Sequence, residues 1–479
     1  MHMRFFEIVV IVFNLLLIGW ILVAKKKPVP WLLIGFGVST ILILIHGVIE
    51  GWRWQMIPAY VMTVVPLVAV AGRLLFKSEQ SAERVVTKAS RVKRIALITL
   101  AVIYSSVAVA LPLILPVFTF EEPTGPYKIG TVTYDWKDQA RDETFTPDPG
   151  DKRELMVQIW YPADAQAEGE TELYFSNPDV FVEGYSKLLN MPKLLFTTFA
   201  YVKTHAIENA AISNREPSYP VLIFSHGFSG HKNQNTFQIE HLVSHGYIVV
   251  GIDHTYSSTA SVFADGRVAN FVPQDTESIA YLDKANEGWV ADAKFVLDQV
   301  EKLANNDPDR RFTGRMDMSN VGMFGHSFGG ATSAQMLMSD SRIKAAINMD
   351  GILYGKQRIP AEGMKKPFMM MSADDSIEVK NTADTVSVQI IEETLPRYKH
   401  VAVGGNYWMK IKDMKHMGFS DLYLFSPIYE KLEGVDARKA HRLINDYTQD
   451  FFDHYLKQQP FKLLEQNMGE HPAFELEKG

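Results

Sequence analysis

Apolar positions are distributed differently in the first quarter of the chain and in the rest. Four apolar runs of about 20 residues follow one another near the N-terminus, at 5–24, 29–49, 56–75 and 95–120. A helix needs roughly 20 such residues to cross a bilayer, and none of the runs has the polar face of a helix that lies on a soluble core. The pattern predicts four membrane-spanning helices, with buried core helices as the alternative.

From Tyr127 onward, short apolar runs alternate with helix-length segments, which is typical of a mostly parallel sheet flanked by helices. The expected strands are an edge hairpin at 128–134 and 155–161, then core strands at 221–225, 248–253, 321–325, 345–349, 368–372 and 407–411. The expected helices cover 235–245, 287–304, 331–339 and 443–456.

One stretch, 170–215, does not follow the sheet pattern and contains the aromatic, apolar residues 188–202. We expect either a lid or interfacial patch, or a helix packed over the sheet edge. The chain is thus expected to divide into a transmembrane anchor, 1–120, and a second domain, 121–479.

Positive charges in the short loops predict the orientation of the spans. Lys25, Lys26 and Lys27 separate the first two spans and six Lys/Arg lie between the third and fourth, whereas the loop between the second and third holds only Arg53. Cytoplasmic loops carry such an excess, so the N-terminus and the second domain are expected outside the cytoplasm. A cleavable signal peptide is disfavoured because these lysines follow the first apolar run.

The spans are expected to act as an anchor. No ionisable residue lies at the middle of a span, where transporters and proton relays usually place one. Glu7, His46, Glu50 and Arg73 lie near span ends, where solvation is the expected explanation.

Composition excludes several classes of function. The 479 residues include no cysteine, so disulfides, thiolate metal sites and a cysteine nucleophile are excluded. Residues 118–479 contain 36 Lys/Arg against 51 Asp/Glu and no cluster of basic residues, which argues against a nucleic-acid partner.

A candidate nucleophile lies where the predicted strand 321–325 meets the next helix. The sequence there is Gly-His-Ser-Phe-Gly-Gly, with Ser327 in third place. A G-x-S-x-G turn between strand and helix exposes its serine above the sheet, and it needs Gly325 and Gly329 because larger side chains would collide. The alternative is a glycine-rich turn in which Ser327 only caps the helix.

An acyl-transfer nucleophile also needs two backbone N–H donors for the developing oxyanion. One donor comes from the residue after the nucleophile, Phe328, and the other from a loop that follows an earlier strand. His226 and Gly227 form such a turn, and we expect the N–H of Phe228 to be the second donor. The alternative is that this turn only connects two elements.

A serine nucleophile requires a histidine base and a carboxylate that orients the histidine. In folds with a G-x-S-x-G turn between strand and helix, these residues follow in the chain order Ser, acid, His. His416 lies in a loop after a predicted strand, and His400 is the reserve candidate. Asp350 ends one predicted strand, while Asp374 and Asp375 end the next. Position alone does not choose between these acids.

Three segments together resemble a known family. They are YPVLIFSHGF at 219–228, SHGYIVVGIDH at 244–254 and GHSFGG at 325–330. Over about 188–425 the chain resembles the plasma and intracellular type II platelet-activating factor acetylhydrolases, which are lipase-like α/β-hydrolases. The resemblance implies an α/β-hydrolase fold after the four spans.

The resemblance also implies roles for individual residues. It places the nucleophile on Ser327, the acid on Asp350, the base on His416 and the oxyanion donors on Phe228 and Phe328. It therefore favours Asp350 as the acid, with Asp374 in reserve.

Members of this family hydrolyse short or oxidised acyl esters of phospholipids without calcium, which implies an esterase without metal or cofactor. The implied partners are a lipid or small-molecule ester and the bilayer itself. The four spans depart from the secreted or lipid-anchored animal relatives, so a broader carboxylesterase role stays open. The alternatives are a thioesterase or peptidase on the same scaffold, and a catalytically inactive membrane scaffold.

The loop charges generate a testable prediction about placement. A fluorophosphonate probe added to intact cells should label the wild-type chain, because the predicted orientation exposes Ser327 outside the cytoplasm. The Ser327→Ala variant is the control and should stay unlabelled. Labelling that appears only after lysis would contradict the orientation.

Overall fold

The computed structural model describes the chain as two compact units. One unit comprises Met1–Thr119, Leu194–Val202 and Phe425–Ile428, and the other comprises Phe120–Lys193, Lys203–Leu424 and Tyr429–Gly479. The described residues are 3–24, 26–75, 88–373, 376 and 392–479.

The N-terminal unit contains four long apolar helices, at α1 Phe5–Val23, α2 Val29–Ile49, α3 Ile57–Leu75 and α4 Lys88–Ile114. All four are long and apolar enough to cross a membrane, as the hydrophobic pattern predicts. Helix α4 ends before the predicted limit of 120. Pro116 accounts for this end, because a residue that precedes proline disfavours the helical conformation.

The expectation that solvation explains the charged residues near the span ends is wrong for Glu7 and His46, whose exposed fractions are both 0%. Arg53 donates two hydrogen bonds of 2.6 Å to the Glu7 carboxylate. His46 bonds Tyr60 at 2.7 Å and Glu50 at 2.9 Å. Arg53 and Tyr60 lie outside the helices that carry Glu7 and His46, so the sequence of a single span did not reveal these contacts. Glu50 is the C-cap residue of the helix that carries His46. The side chain of Arg73 lies outside the described residues.

The second unit is built on a β-sheet. Its strands in the described residues are β1 Lys128–Asp142, β2 Lys152–Ala163, β3 Thr171–Leu173, β4 Lys203–Glu208, β5 Tyr219–Ser225, β6 Ile248–Ile252, β7 Ala260–Val262, β8 Val268–Asn270, β9 Met316–His326, β10 Ile343–Met349, β11 Phe368–Ala373, β12 Tyr407–Ile411, β13 Gly469–His471 and β14 Phe474–Lys478. Twelve of them form one sheet in the order β13-β14-β12-β11-β10-β9-β5-β6-β2-β1-β4-β3, and β7 and β8 form a separate pair.

The predicted hairpin and the six core strands are confirmed, but the hairpin does not form the sheet edge, because β4 and β3 lie beyond β1. Strands β1 and β2 pair antiparallel. The six core strands lie in the sheet order β6-β5-β9-β10-β11-β12, and each pairs parallel with its neighbours in this order. The core strands form because their apolar runs are buried on both faces, as parallel sheets require. All five residues of β6 are buried.

Among the described residues, the remaining helices are α5 Pro178–Leu188, α6 Thr236–Ser244, α7 Ile279–Asn306, α8 Phe328–Ser339, α9 Pro427–Glu433 and α10 Ala437–Lys457. Helix α7 begins earlier than the predicted residue 287, and Ser278 caps it by accepting a hydrogen bond from the Tyr281 N–H. Its buried Trp289, Ala293 and Val296 recur every three or four residues, which is the spacing of a helix face packed on a core.

Two edge features were not predicted. Strands β3 and β4 lie within the stretch 170–215 and extend the sheet beyond β1, which corrects the expectation that this stretch stays outside the sheet. The hairpin β13-β14 extends the opposite edge beside β12. Segments of three to six residues are too short to show a reliable period. The lid interpretation of this stretch stays a prediction.

The central strands generate a prediction about stability. Leu222 on β5 is 0% exposed, whereas Leu395 is 47% exposed. The change Leu222→Ala should lower the free energy of unfolding by about 2–5 kcal/mol, because it opens a cavity in the core. The matched change Leu395→Ala should cost less than about 0.5 kcal/mol. Urea denaturation of the purified chain in detergent, followed by tryptophan fluorescence, measures both, and equal losses would contradict this account of the core.

Candidate active site

Ser327 lies at a sharp turn between β9 and α8, with φ 55° and ψ −122°. Its N–H donates to the carbonyl of Met349 at 2.8 Å, which ties the turn to the neighbouring strand. A Cβ on Gly329 would lie 2.0 Å from the backbone oxygen of Ser225, and one on Gly325 would lie 2.3 Å from the oxygen of Gly329. The turn therefore requires glycine at both positions, as expected from the motif.

Three predicted side chains form a continuous hydrogen-bonded chain. His416 Nε2 lies 3.0 Å from Ser327 Oγ, and His416 Nδ1 lies 2.7 Å from Asp350 Oδ2. The three residues follow strands β9, β10 and β12. These strands are parallel, so their carboxyl ends point to the same side of the sheet. An ionised carboxylate only accepts hydrogen bonds, so Nδ1 carries the proton and Nε2 is free to accept the serine proton.

Asp350 is held as a buried carboxylate. It accepts hydrogen bonds from the Ala373 N–H at 2.8 Å and the Ser376 hydroxyl at 2.7 Å, besides the one from His416. Burial raises the pKa of Asp350, but these bonds and the electrostatic interaction with His416 outweigh burial and hold the pKa below its ordinary value. The carboxylate therefore stays ionised near neutral pH.

Two reserve candidates have different outcomes. Asp374, like Asp375, lies outside the described residues. His400 lies in a turn after the 3-10 helix Leu395–Tyr398. Within the described part of the chain, the histidine that is hydrogen-bonded to Ser327 is His416.

The two residues that are expected to supply the oxyanion donors, Phe228 and Phe328, line the same pocket as Ser327. Within the described part of the chain, the backbone N–H groups of Phe228 and Phe328 donate to no protein acceptor. The loop that carries Phe228 comes close to the nucleophile, since a Cβ on Gly227 would lie 3.1 Å from Ser327 Cβ. Two unpaired donors beside the serine are what an oxyanion hole requires.

A pocket of about 330 Å³ opens onto these groups. It is lined by apolar and aromatic side chains beside the polar groups of the site, namely Phe228, Leu282, Phe328, Ile352 and Tyr354. The imidazole of His416 is 44% exposed, so a molecule in the pocket can reach it. The pocket is suited to an uncharged group next to Ser327.

Two residues that support the site were missed by the sequence analysis. The Gln234 amide donates to His326 Nδ1 at 2.7 Å, and His326 Nε2 donates to the carbonyl of His416 at 2.9 Å. Gln234 also accepts a hydrogen bond from the Gly227 N–H at 2.9 Å. Burial, together with the neighbouring His416 ring, lowers the pKa of His326 to about 3, so this ring stays neutral. The place of His326 next to Ser327 in the motif was the available signal.

One group of side chains in the N-terminal unit has the composition of a metal site. Ligand atoms of Glu7, His46 and Glu50 lie within 4.8 Å of one another. However, Arg53 occupies both carboxylate oxygens of Glu7, and Arg4 adds a further ion pair at 2.7 Å. Two arginines already balance the two carboxylates, so the group is an ion-pair cluster and disfavours a cation.

Comparison with known proteins identifies the family. Residues 116–302 and 296–462 match the family described as platelet-activating factor acetylhydrolase, isoform II. The chain belongs to this family. The resemblance seen in the sequence motifs is thereby confirmed.

Individual relatives are distant in sequence. The platelet-activating factor acetylhydrolase of Cavia porcellus is 24% identical over 336 residues, which cover 64% of this chain and 71% of that protein. That of Canis lupus familiaris is 28% identical over 224 residues, or 41% of this chain and 49% of that protein. A probable 1-alkyl-2-acetylglycerophosphocholine esterase of Arthroderma benhamiae is 25% identical and covers 52% of this chain and 63% of that protein.

A solved structure gives the same fold. Ferulic acid esterase from Streptomyces cinnamoneus aligns with a TM-score of 0.59 and 26% identity, covering 75% of this chain and 99% of that chain. The second unit is therefore an α/β-hydrolase, preceded by four helices that could span a membrane. The family and this neighbour identify the chain as a carboxylic ester hydrolase of the platelet-activating factor acetylhydrolase type.

The glycines of the turn generate a prediction. In Gly329→Ala the new Cβ would meet the carbonyl oxygens of Ser225 and His226 at 2.0 and 2.4 Å, so the backbone at Ser327 must shift. A shift of about 1 Å at a reacting group costs about a hundredfold in rate, and we expect at least this loss of esterase activity. The control is Gly288→Ala on α7, where a Cβ meets nothing within 4 Å. Wild-type rates in both variants would contradict the steric argument.

Proposed function

We propose that the chain is a membrane-anchored serine esterase in which Ser327 is the nucleophile, His416 the general base and Asp350 the residue that orients the base. The observation that carries the proposal is the hydrogen-bonded chain from Asp350 through His416 to Ser327, with links of 2.7 and 3.0 Å. A serine at its ordinary pKa reacts only when such a base takes its proton.

In the first half of the reaction, Ser327 Oγ attacks the ester carbonyl carbon while its proton passes to His416 Nε2. The tetrahedral intermediate then collapses, the bond to the alcohol oxygen breaks, and the imidazolium returns the proton to the leaving alkoxide. The alcohol departs and the acyl group stays on Ser327. Asp350 stabilises the imidazolium without taking its proton.

In the second half, water replaces the alcohol. His416 removes a proton from the water as its oxygen attacks the acyl carbon, and the same proton then returns to Ser327 Oγ when the acyl bond breaks. The carboxylic acid leaves and the serine is restored. In both tetrahedral intermediates, the N–H groups of Phe228 and Phe328 donate to the negatively charged oxygen.

We further propose that the substrate is a glycerophospholipid or similar lipid with a short acyl ester. The pocket of about 330 Å³ is at the small end of ligand pockets, which span about 300–1,000 Å³. Relatives named for platelet-activating factor and 1-alkyl-2-acetylglycerophosphocholine support an acetyl-sized acyl group. The four apolar helices support a lipid source, and the charges of the loops support a site outside the cytoplasm.

The triad predicts the effect of removing the nucleophile. The change Ser327→Ala should lower the turnover of p-nitrophenyl acetate about a million-fold, because residues of a triad act as a unit. Ser319→Ala, at an exposed position near the start of β9, is the matched control and should keep the wild-type rate. Side-by-side rates on thioester and peptide substrates distinguish an esterase from other hydrolases on this scaffold. Turnover that survives in Ser327→Ala, or a wild-type chain that hydrolyses none of these substrates, would overturn the proposal.

A further inference from the structure

The peptide bond between Gly227 and Phe228 is anchored through its carbonyl group. The Gly227 oxygen lies 2.6 Å from His226 Nδ1 and accepts a hydrogen bond from the Gly230 N–H at 2.8 Å. In a trans peptide the C=O and the N–H lie in one plane and point in opposite directions. Whatever holds the Gly227 carbonyl therefore also sets the direction of the Phe228 N–H.

A backbone contact decides which nitrogen of His226 carries the proton. The His254 N–H points at His226 Nε2 at 3.1 Å, and a backbone N–H can only donate. Nε2 must therefore accept, which places the proton of the neutral ring on Nδ1. Nδ1 then donates to the Gly227 carbonyl. Burial, and then the neighbouring His254, hold the pKa of His226 well below its ordinary value, so the ring keeps one donor and one acceptor.

His254 is itself fixed by buried groups. Its Nδ1 lies 2.9 Å from the Asp292 carboxylate, and its Nε2 lies 2.9 Å from Ser225 Oγ. Its ring stacks on Trp289 with a centroid distance of 3.8 Å. Arg153 donates to both oxygens of Asp292, at 2.6 and 3.0 Å.

This second Ser–His–Asp arrangement cannot meet a substrate. Ser225, His254 and Asp292 are each 0% exposed. Ser225 and His254 instead contact the loop that carries Phe228. Ser225 directly precedes His226, and the His254 N–H sets the tautomer of the His226 ring. Its position favours a supporting role over a second reaction.

We propose that His226 is a positioning residue that aims the Phe228 N–H at the oxyanion. The backbone N–H of His254 fixes its tautomer, and the buried bonds of the His254 side chain to Asp292 and Ser225 hold that N–H in place. The inference rests on the proposed function, because it assumes that Phe228 is an oxyanion donor. His226 donates to a backbone carbonyl and touches no reacting atom. Its effect should therefore appear in the stabilisation of the transition state.

A matched pair of variants isolates the hydrogen bond to the Gly227 carbonyl. Asn and Leu have nearly the same shape, and both lack the Nε2 acceptor. In His226→Asn the amide nitrogen is bonded to Cγ, as Nδ1 is in histidine, and it can still donate. His226→Leu removes this donor. His226→Ala removes the donor with less steric demand and is measured alongside in case the leucine variant folds poorly.

The readout compares an oxoester with the corresponding thionoester, whose sulfur accepts hydrogen bonds weakly and gains less from an oxyanion hole. Rates are measured on the full-length chain in detergent and normalised by titration with a fluorophosphonate. Loss of an oxyanion donor costs about 10²–10³ in kcat, and a misdirected donor keeps part of its effect. In His226→Leu and His226→Ala we expect oxoester kcat to fall by about tenfold to a hundredfold, with KM nearly unchanged. The ratio of the oxoester rate to the thionoester rate should also become smaller.

His226→Asn should retain most of the oxoester rate. His241→Leu is the control, since His241 is another buried histidine and bonds Gln449 instead; it should leave the ratio of oxoester to thionoester rates unchanged. Wild-type ratios in His226→Leu and His226→Ala, or equal losses in the asparagine and leucine variants, would overturn the positioning role while Ser327→Ala stays inactive. Activity in Ser327→Ala would instead refute the proposed function itself.

Discussion

The distances in the site depend on the sharp turn that joins β9 to α8. A non-glycine residue in a sparsely populated conformation costs about 1–3 kcal/mol, and Ser327 adopts one with φ 55°. The turn persists because the flanking glycines let backbone atoms pass closely and because the Ser327 N–H is tied to Met349 on β10. The strain is local, while the sheet and helix that hold it are buried over most of their length.

Neutral buried histidines connect the loops around this turn. Burial lowers the pKa of His226, His254 and His326, and a neutral imidazole offers one donor and one acceptor. Each ring therefore joins one defined donor to one defined acceptor. Gln234 links two of these loops, because it accepts from the Gly227 N–H and donates to His326. The loops beside Ser327 are thus held by directional bonds rather than by apolar packing alone.

The N-terminal unit, whose four long helices could span a membrane, is also held by directional polar bonds. Packing of apolar helices in lipid gains little from the hydrophobic effect, and polar contacts between helices contribute to association. Asn14 on α1 accepts hydrogen bonds from Ser39 on α2 at 2.5 Å and from Thr63 on α3 at 3.0 Å. The buried pair of Glu7 and Arg53 adds a bidentate link. These contacts give α1, α2 and α3 a defined arrangement that their apolar surfaces do not specify.

The sequence by itself determined the four apolar helices, the positions of the core strands along the chain and the place of the turn at Ser327, because periodicity and glycine sterics act over a few neighbouring residues. It did not choose by position between Asp350 and Asp374, since both follow strands. Only the tertiary structure decided that Asp350 lies beside His416: β10 and β12 flank β11 in the sheet, and this brings together residues 66 positions apart. The burial of Glu7 and the link through Gln234 were decided in the same way, because contacts between distant residues form only when the chain has folded.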